Sequence, residues 1–351
     1  MGLKKYVENP TTVENETEEK DVQVEEEIVE EVNADEIAEE TSEEIVEEPL
    51  SYRENEMTKT INEERTNYKD FYKKQRKVNT IVTVAILVVV LGAFLMVIFN
   101  DQMGGVGIYV AIGLFIVAIV VSFFTSRAMK NKLTARAQEY VKSLYEITNA
   151  YVFDDKDISN LDDLGSEQLP TQEFIDGHFY KNIKATRNRN FVKMLYKSKE
   201  LLTCDLAASI LIKGKTSPMF LGKFYKFPCS YSKENSIILY QLKGGELSRP
   251  LDDIDDLKLV DGNKKYNVYS NDDNYKKILT DRILSLLNSF KIDDQLIDVI
   301  VSIKKGVVIL GIDYSDEFMN IPVESEYNVK NTLRVKKDFE RVKKIFDLLN
   351  K

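Results

Sequence analysis

The chain has 351 residues and a net charge of −10, an average that hides a division. Residues 1–50 carry 19 Asp and Glu against three Lys, a local charge of −16 that leaves +6 for everything after. Two cysteines, Cys204 and Cys229, and one histidine, His178, leave too few ligands for a structural zinc site. In a reducing cytoplasm each thiol is expected to stay buried and unpaired.

The first 50 residues hold Glu-rich stretches such as Glu25-Glu26-Glu27, with no aromatic residue between Tyr6 and Tyr52. Like charges at this density repel, and nothing supplies a core, so a disordered, solubilising tail is expected. Ile28, Val32, Ile37 and Ile45 recur at loosely helical intervals, which leaves room for a short helix formed on a basic partner. Met1-Gly2-Leu3 lacks a myristoylation context, because Tyr6 stands where Ser or Thr is required.

Two apolar runs follow. Ile81–Phe99 holds nineteen residues without a charge, and Val106–Thr125 is likewise uncharged. Each is long enough as a helix to cross the hydrocarbon core, and each is apolar on every face. The turn Asn100–Gly105 between them permits only a helical hairpin. Lys73, Lys74, Arg76 and Lys77 precede the pair, Arg127, Lys130, Lys132 and Arg136 follow it, and the turn carries only Asp101. The positive-inside rule then puts both termini in the cytoplasm of a multi-pass cell-membrane protein. Neither run contains an ionisable residue, which argues for an anchor rather than a transport path. Gly107 with Ala111, and Ala118 with Ser122, form small-xxx-small steps compatible with close helix packing and with a homo-oligomer.

Residues 51–78 and 126–150 flank the hairpin as helical segments. Met57, Ile61, Tyr68, Phe71 and Tyr72 are sparse apolar positions in the first. Met129, Leu133, Ala137, Tyr140, Val141 and Leu144 define one face of the second. They are expected to prolong the spans as an antiparallel, coiled-coil-like stalk whose Lys and Arg meet anionic headgroups.

From about Tyr151 to the end, strand-length runs alternate irregularly with helical ones. Short strands are expected within Glu173–His178 and Lys181–Ala185, and Leu201–Leu211 reads as a strand or a short helix. Met219–Phe227 reads as a strand pair interrupted near Gly222. Ile237–Tyr240 and Lys265–Tyr269 are strands. Asn271 or Asp272 caps a helix carrying Ile278, Leu279, Ile283, Leu286, Leu287 and Phe290, with a break near Thr280. Val299–Ile303 and Val307–Ile312 flank Lys304-Lys305-Gly306 as a hairpin. Val335, Phe339, Val342, Phe346 and Leu349 line one side of a terminal helix. The expectation is an α+β fold: a transmembrane helical hairpin, then a soluble domain with a mainly antiparallel sheet and packed helices. Its units are a tail at 1–50, a juxtamembrane segment at 51–78, the hairpin at 79–125, a stalk helix at 126–150 and a domain at 151–351.

No constellation in that domain marks chemistry, and no catalytic, cofactor-binding or metal-binding residue is assigned. His178 in Asp176-Gly177-His178-Phe179 has no second feature beside it, and a pairing with Cys204 or Cys229 needs geometry that a sequence does not carry. Gly214-Lys215-Thr216 echoes a phosphate loop, but Ser209 stands where the motif needs its first glycine. Gly214 is read as a turn before Pro218. The acidic pairs Asp154-Asp155, Asp162-Asp163, Asp252-Asp253, Asp255-Asp256, Asp272-Asp273 and Asp293-Asp294 lack calcium-loop spacing and read as loop caps. Lys181, Lys184, Arg187, Arg189, Lys193 and Lys197 form the densest basic run. They carry no nucleic-acid motif, so anionic lipid is their expected contact.

From about Phe71 onward the layout resembles an uncharacterised bacterial two-span membrane protein family, a domain of unknown function with a cytoplasmic C-terminal domain. The likeness rests on Met219-Phe220-Leu221-Gly222-Lys223-Phe224, on Tyr266–Asp272 leading into Ile278-Leu279-Thr280, and on the hairpin Val299–Ile312 with Phe318 beyond it. The resemblance implies the same α+β domain after a hairpin and brings no catalytic residue. The function expected is a membrane-anchored binding or scaffold module rather than an enzyme, with the bilayer, a protein partner or anionic headgroups as its contacts. The alternatives are a membrane-proximal enzyme or small-ligand sensor and, behind them, a channel or transporter subunit.

Overall fold

The computed structural model describes residues 50–351 apart from 166, 181–182, 213–214, 235, 244–256, 291–292, 294, 316–317, 320, 322 and 324. The acidic tail, the Gly214 turn and the pairs Asp252-Asp253 and Asp255-Asp256 therefore lie outside the described residues.

Two helices open the described chain. Helix α1, Tyr52–Ile98, starts at a capping box in which Ser51 and Glu54 exchange bonds, and it runs unbroken through the first apolar run. Helix α2, Gly107–Val152, returns antiparallel to it. Forty-seven residues make α1 about 70 Å long, and its apolar end and that of α2 are long and apolar enough to cross a membrane. Their large side chains there, Leu87, Phe94, Ile119 and Phe124 among them, are exposed outward. Inside the hairpin the contact is made by small residues: Gly107, Ala111, Ala118 and, from α1, Ala93 are buried. A Cβ on Gly107 would lie 2.4 Å from the Met96 carbonyl oxygen, so this glycine sets the close approach beneath the turn. The small-xxx-small steps thus serve contact within one chain.

The inward positions of α2 recur every eleven residues: Gly107, Ala118, Met129, Tyr140 and Tyr151 on one line, Ala111, Ser122, Leu133 and Leu144 on the next. That period fits straight or slightly right-handed helices, not the seven-residue repeat of a left-handed coiled coil, so the coiled-coil expectation finds no support.

Among the described residues nine strands form one wholly antiparallel sheet in the order β1-β2-β3-β4-β9-β8-β5-β7-β6. They are β1 Ile158–Gly165, β2 Ile183–Tyr196, β3 Lys199–Ile212, β4 Lys215–Pro228, β5 Ile237–Lys243, β6 Lys258–Gly262, β7 Tyr266–Ser270, β8 Leu296–Lys304 and β9 Val307–Tyr314. The chain lays down β1–β4 as a meander, builds the far edge with β5–β7, then fills the gap with the β8–β9 hairpin. Both faces are apolar, by strict alternation. Tyr225 and Phe227 of β4 enter one core and Phe220 and Phe224 the other; Val299, Val301 and Ile303 of β8 oppose Ile300 in the same way. Helix α5, Val329–Leu349, covers the first face with Phe339, Val342, Ile345 and Phe346. The terminal helix therefore packs on its own domain. The short helix α3, Thr171–Ile175, and Phe179 cover part of the second face.

The fold class is as expected, with local corrections and one open alternative settled. Glu173–Ile175 belongs to α3 and not to a strand. Leu201–Leu211 is strand, inside β3. Met219–Phe227 is one uninterrupted strand, because Gly222 is there to admit the neighbouring strand: a Cβ on it would meet the Ile312 carbonyl oxygen at 1.8 Å. The break near Thr280 is present; a 3₁₀ turn at Tyr275–Lys277 precedes helix α4, Asp281–Leu287, which Thr280 caps. Lys305 and Gly306, both at positive φ, close the β8–β9 hairpin.

Candidate functional site

The last turns of α2 end inside the domain, on the α5 face of the sheet. Phe153 beyond them meets Phe339 edge-on at 4.9 Å. Arg53 pairs with Asp154, and the Tyr151 hydroxyl donates to Glu54 at 2.6 Å. That bond and the Ser51 amide hold the Glu54 carboxyl below its usual range. The Tyr327 amide donates to Asn62 of α1 at 3.1 Å, and Lys336 of α5 sits over the Tyr151 ring at 3.9 Å. Both long helices are thus tied into the domain at their base.

A cavity of about 310 Å³ lies in this joint, between α2, strands β2–β4 and the residues leading into α5. Its floor is a buried ion pair. Asp205 of β3 and Lys223 of β4 are directly opposed in the ladder and have side chains 8% and 10% exposed. Both belong to the inward phase of their strands, in step with Leu201 and Thr203 and with Tyr225 and Phe227. A bulge at Asn190, which has φ of 50°, turns that amide to the same face. There it exchanges two hydrogen bonds with Asn149 of α2, at 2.7 and 3.1 Å. Burial, then the Asp205 charge, pushes the Tyr145 phenol well above its ordinary pKa, so it remains a neutral donor.

The cavity walls hold unused polar capacity. Lys223 pairs directly with Oδ1 of Asp205, so these two charges answer each other. Oδ1 of Asn331, on the first turn of α5, is buried without a hydrogen-bond partner, while its amide donates to the Phe318 carbonyl at 3.2 Å. Glu326 reaches the same cavity from an exposed position.

The residues singled out by sequence lie elsewhere. His178, at φ of 53°, is 2.8 Å from Nζ of Lys304; burial first, then that cation, lowers its pKa. Cys204 and Cys229 are free, buried, and belong to cores on opposite faces of the sheet, with burial raising both thiol pKa values. The acidic pairs are mostly structural: Asp155 pairs with Lys343, Asp293 with Arg334, and Asp272 accepts from Tyr231, Lys233 and Ser236. Within the basic run Lys193 is spent on Glu200, Lys197 on Asp347, and Arg189 donates to the Met319 carbonyl. Among the described residues no three His, Cys, Asp or Glu side chains converge as metal ligands would.

No family model matches the chain, and no curated protein matches it in sequence. What carries over from the resemblance is the layout alone: two apolar helices ahead of a distinct folded domain.

Proposed function

We propose that the chain is a membrane-anchored cytoplasmic binding module, in which residues 79–125 cross the bilayer twice and the domain from 151 engages a protein partner or the lipid surface. The observation that carries this reading is the continuity of α1 and α2 from their apolar ends into the joint with the sheet. A domain merely tethered would hang on a flexible linker; here the connection is helix throughout, so the domain is held at a fixed height and orientation. The basic flanks favour cytoplasmic termini.

The test has two arms. A cysteine placed in the 100–105 turn should react with an impermeant maleimide added to intact cells, whereas cysteines near either terminus should react only after lysis. The full chain, solubilised from membranes, should then retain a reproducible partner or bind vesicles containing anionic lipid. Labelling of both termini from outside, or neither kind of binding, would refute the reading.

A second reading, a membrane-proximal small-ligand sensor, is favoured by one observation: the joint between stalk and sheet contains a cavity bordered by a buried polar atom, Oδ1 of Asn331, that has no hydrogen-bond partner.

A further inference from the structure

We infer that the hairpin carries a site for one anionic phospholipid, its acyl chain in a groove between α1 and α2 and its phosphate held by Arg127 and Lys130. This rests on the reading that residues 79–125 cross the bilayer, and it names a lipid bound by that segment.

The groove follows from the side-chain rows of α2. Residues four apart form a ridge along a helix surface. One row, Phe115, Ile119, Phe123 and Arg127, opens with large apolar side chains; the adjoining row, Ala118, Ser122, Ser126 and Lys130, opens with small ones. Ala118 is 5% exposed, whereas Ile119 and Phe123 stand out at 66% and 59%. With Ile86 and Val90 of α1 on the far side, the small row becomes the floor of an open groove of about 810 Å³. Both rows end on a cation at the stalk side. The rise from Phe115 to Ser126 is about 16 Å, close to half of the roughly 30 Å hydrocarbon core. The apolar part of the groove therefore spans one leaflet, and Arg127 and Lys130 fall at its headgroup level.

The mouth selects the headgroup. Among the described residues neither Arg127 nor Lys130 makes an ion pair or a side-chain hydrogen bond, whereas Arg136, further along the stalk, is met by Glu64 and Glu139. The chain has no Asp or Glu between Asp70 and Asp101, or between Asp101 and Glu139, to answer these two cations. A lipid phosphate gains charge-assisted hydrogen bonds from both, and Ser126, next to Arg127 and one turn before Lys130, adds a hydroxyl donor. A choline headgroup would bring its own cation to a mouth that already holds two. Topology alone requires only that positive charge lie on the flank; it does not require that each charge terminate a row that shapes the groove. A second hairpin in the same orientation would cover the apolar rows but set its own basic flank against this one.

The test is native mass spectrometry of the full chain in a non-ionic detergent. With equimolar phosphatidylglycerol, one lipid should remain on each chain. Phosphatidylcholine of the same acyl chains should bind about thirtyfold more weakly, at about fivefold for each cation. R127Q/K130Q, at two exposed positions, should lose that preference with unchanged far-ultraviolet circular dichroism. K74Q/K132Q removes as much flanking charge away from the groove and should keep it. S126L, which fills the groove at an exposed position and leaves both cations, should also lose the bound lipid. Millimolar inorganic phosphate should not displace the lipid. Equal retention of the two lipids, equal loss in both charge variants, displacement by phosphate, or a lipid-free dimer would each overturn the inference. These failures are distinct from a failure of the bilayer crossing, which impermeant-maleimide labelling of the 100–105 turn reports separately.

Discussion

Replacing Gly222 with alanine tests the central seam of the sheet. The added Cβ would lie 1.8 Å from the Ile312 carbonyl oxygen, 2.8 Å from its carbon and 3.0 Å from Asp313 Cα. A carbon and a carbonyl oxygen approach comfortably to about 3.3 Å, so the strands must part by about 1.5 Å there. Backbone on both sides cannot swing away as a side chain would. The displaced seam is β4–β9, the one strand pairing among the described residues that joins the β1–β4 meander to the remaining strands. The Leu221 amide, which donates to Asp313 at 2.9 Å, is next to it. Overpacking costs about 1–3 kcal/mol and each lost hydrogen bond about 1, which places Gly222→Ala near 3 kcal/mol. For a domain of this size that is a fall in Tm of roughly 6–12 °C. The chain has no tryptophan and 18 tyrosines, so tyrosine near-ultraviolet circular dichroism of the full chain in detergent is the suitable probe. Gly113→Ala, where no atom lies within 4 Å, is the control and should change nothing. A Gly222→Ala variant melting within about 2 °C of the parent would refute the close approach and the energetic argument built on it.

Three further outcomes are expected. Phe339→Ala removes a fully buried ring that contacts both Phe153 and Tyr225; it should cost about 3–5 kcal/mol and, in limited proteolysis, expose cleavage just after α2. Thr280→Ala removes the cap of α4 and should cost about 1 kcal/mol, read as a lower denaturation midpoint with an unchanged slope. His178 provides a pH test, since it is the one histidine and its folded pKa lies below the ordinary 6.5. Below pH 6.5 the unfolded chain takes up a proton that the folded one refuses, so stability falls as pH drops, until the folded value is passed. His178→Asn, which tolerates the positive φ, should lose less Tm than the parent between pH 7 and 5. The carboxylates Glu54 and Asp155, whose pKa values are depressed, give up their contribution only below their ordinary 4.5 and 3.8, outside that window. Equal slopes for parent and variant would show that the histidine is not held neutral.

What could be read in advance was whatever a single segment dictates. An uncharged run of nineteen residues is a membrane-length helix wherever the chain puts it, and Lys305-Gly306 makes a hairpin by its own backbone preference. The terminal helix was legible from the interval of its aromatic and aliphatic residues alone. The errors occur where a neighbour decides. Gly222 looks like a breaker within its own strand; only the carbonyl of Ile312 explains it. The β2–β3 turn is made by Lys197 and Ser198, both at positive φ, a pair with no glycine or asparagine to announce it. Intervals of three and four along α2 mark one helix face but do not distinguish a seven- from an eleven-residue repeat, which separate only over the whole length of the helix.

The joint was harder still, because each of its groups is unremarkable in its own segment. Asp205 interrupts the apolar Leu201–Leu211, and Lys223 interrupts Met219–Phe227, as any outward-facing residue of a half-buried strand would. The signal available was phase. Both charges fall on the positions their strands share with Leu201, Tyr225 and Phe227, which commit that phase to the core. They also lie nearly equidistant from the adjoining ends of β3 and β4, which makes them cross-strand neighbours. A charge on the buried phase of one strand is costly; opposite charges facing each other on the buried phases of two paired strands are a device. An ion pair there adds little stability over an apolar pair of equal volume. His178 differs in kind: its polar partner is the Lys304 ammonium, and burial followed by that cation lowers its pKa.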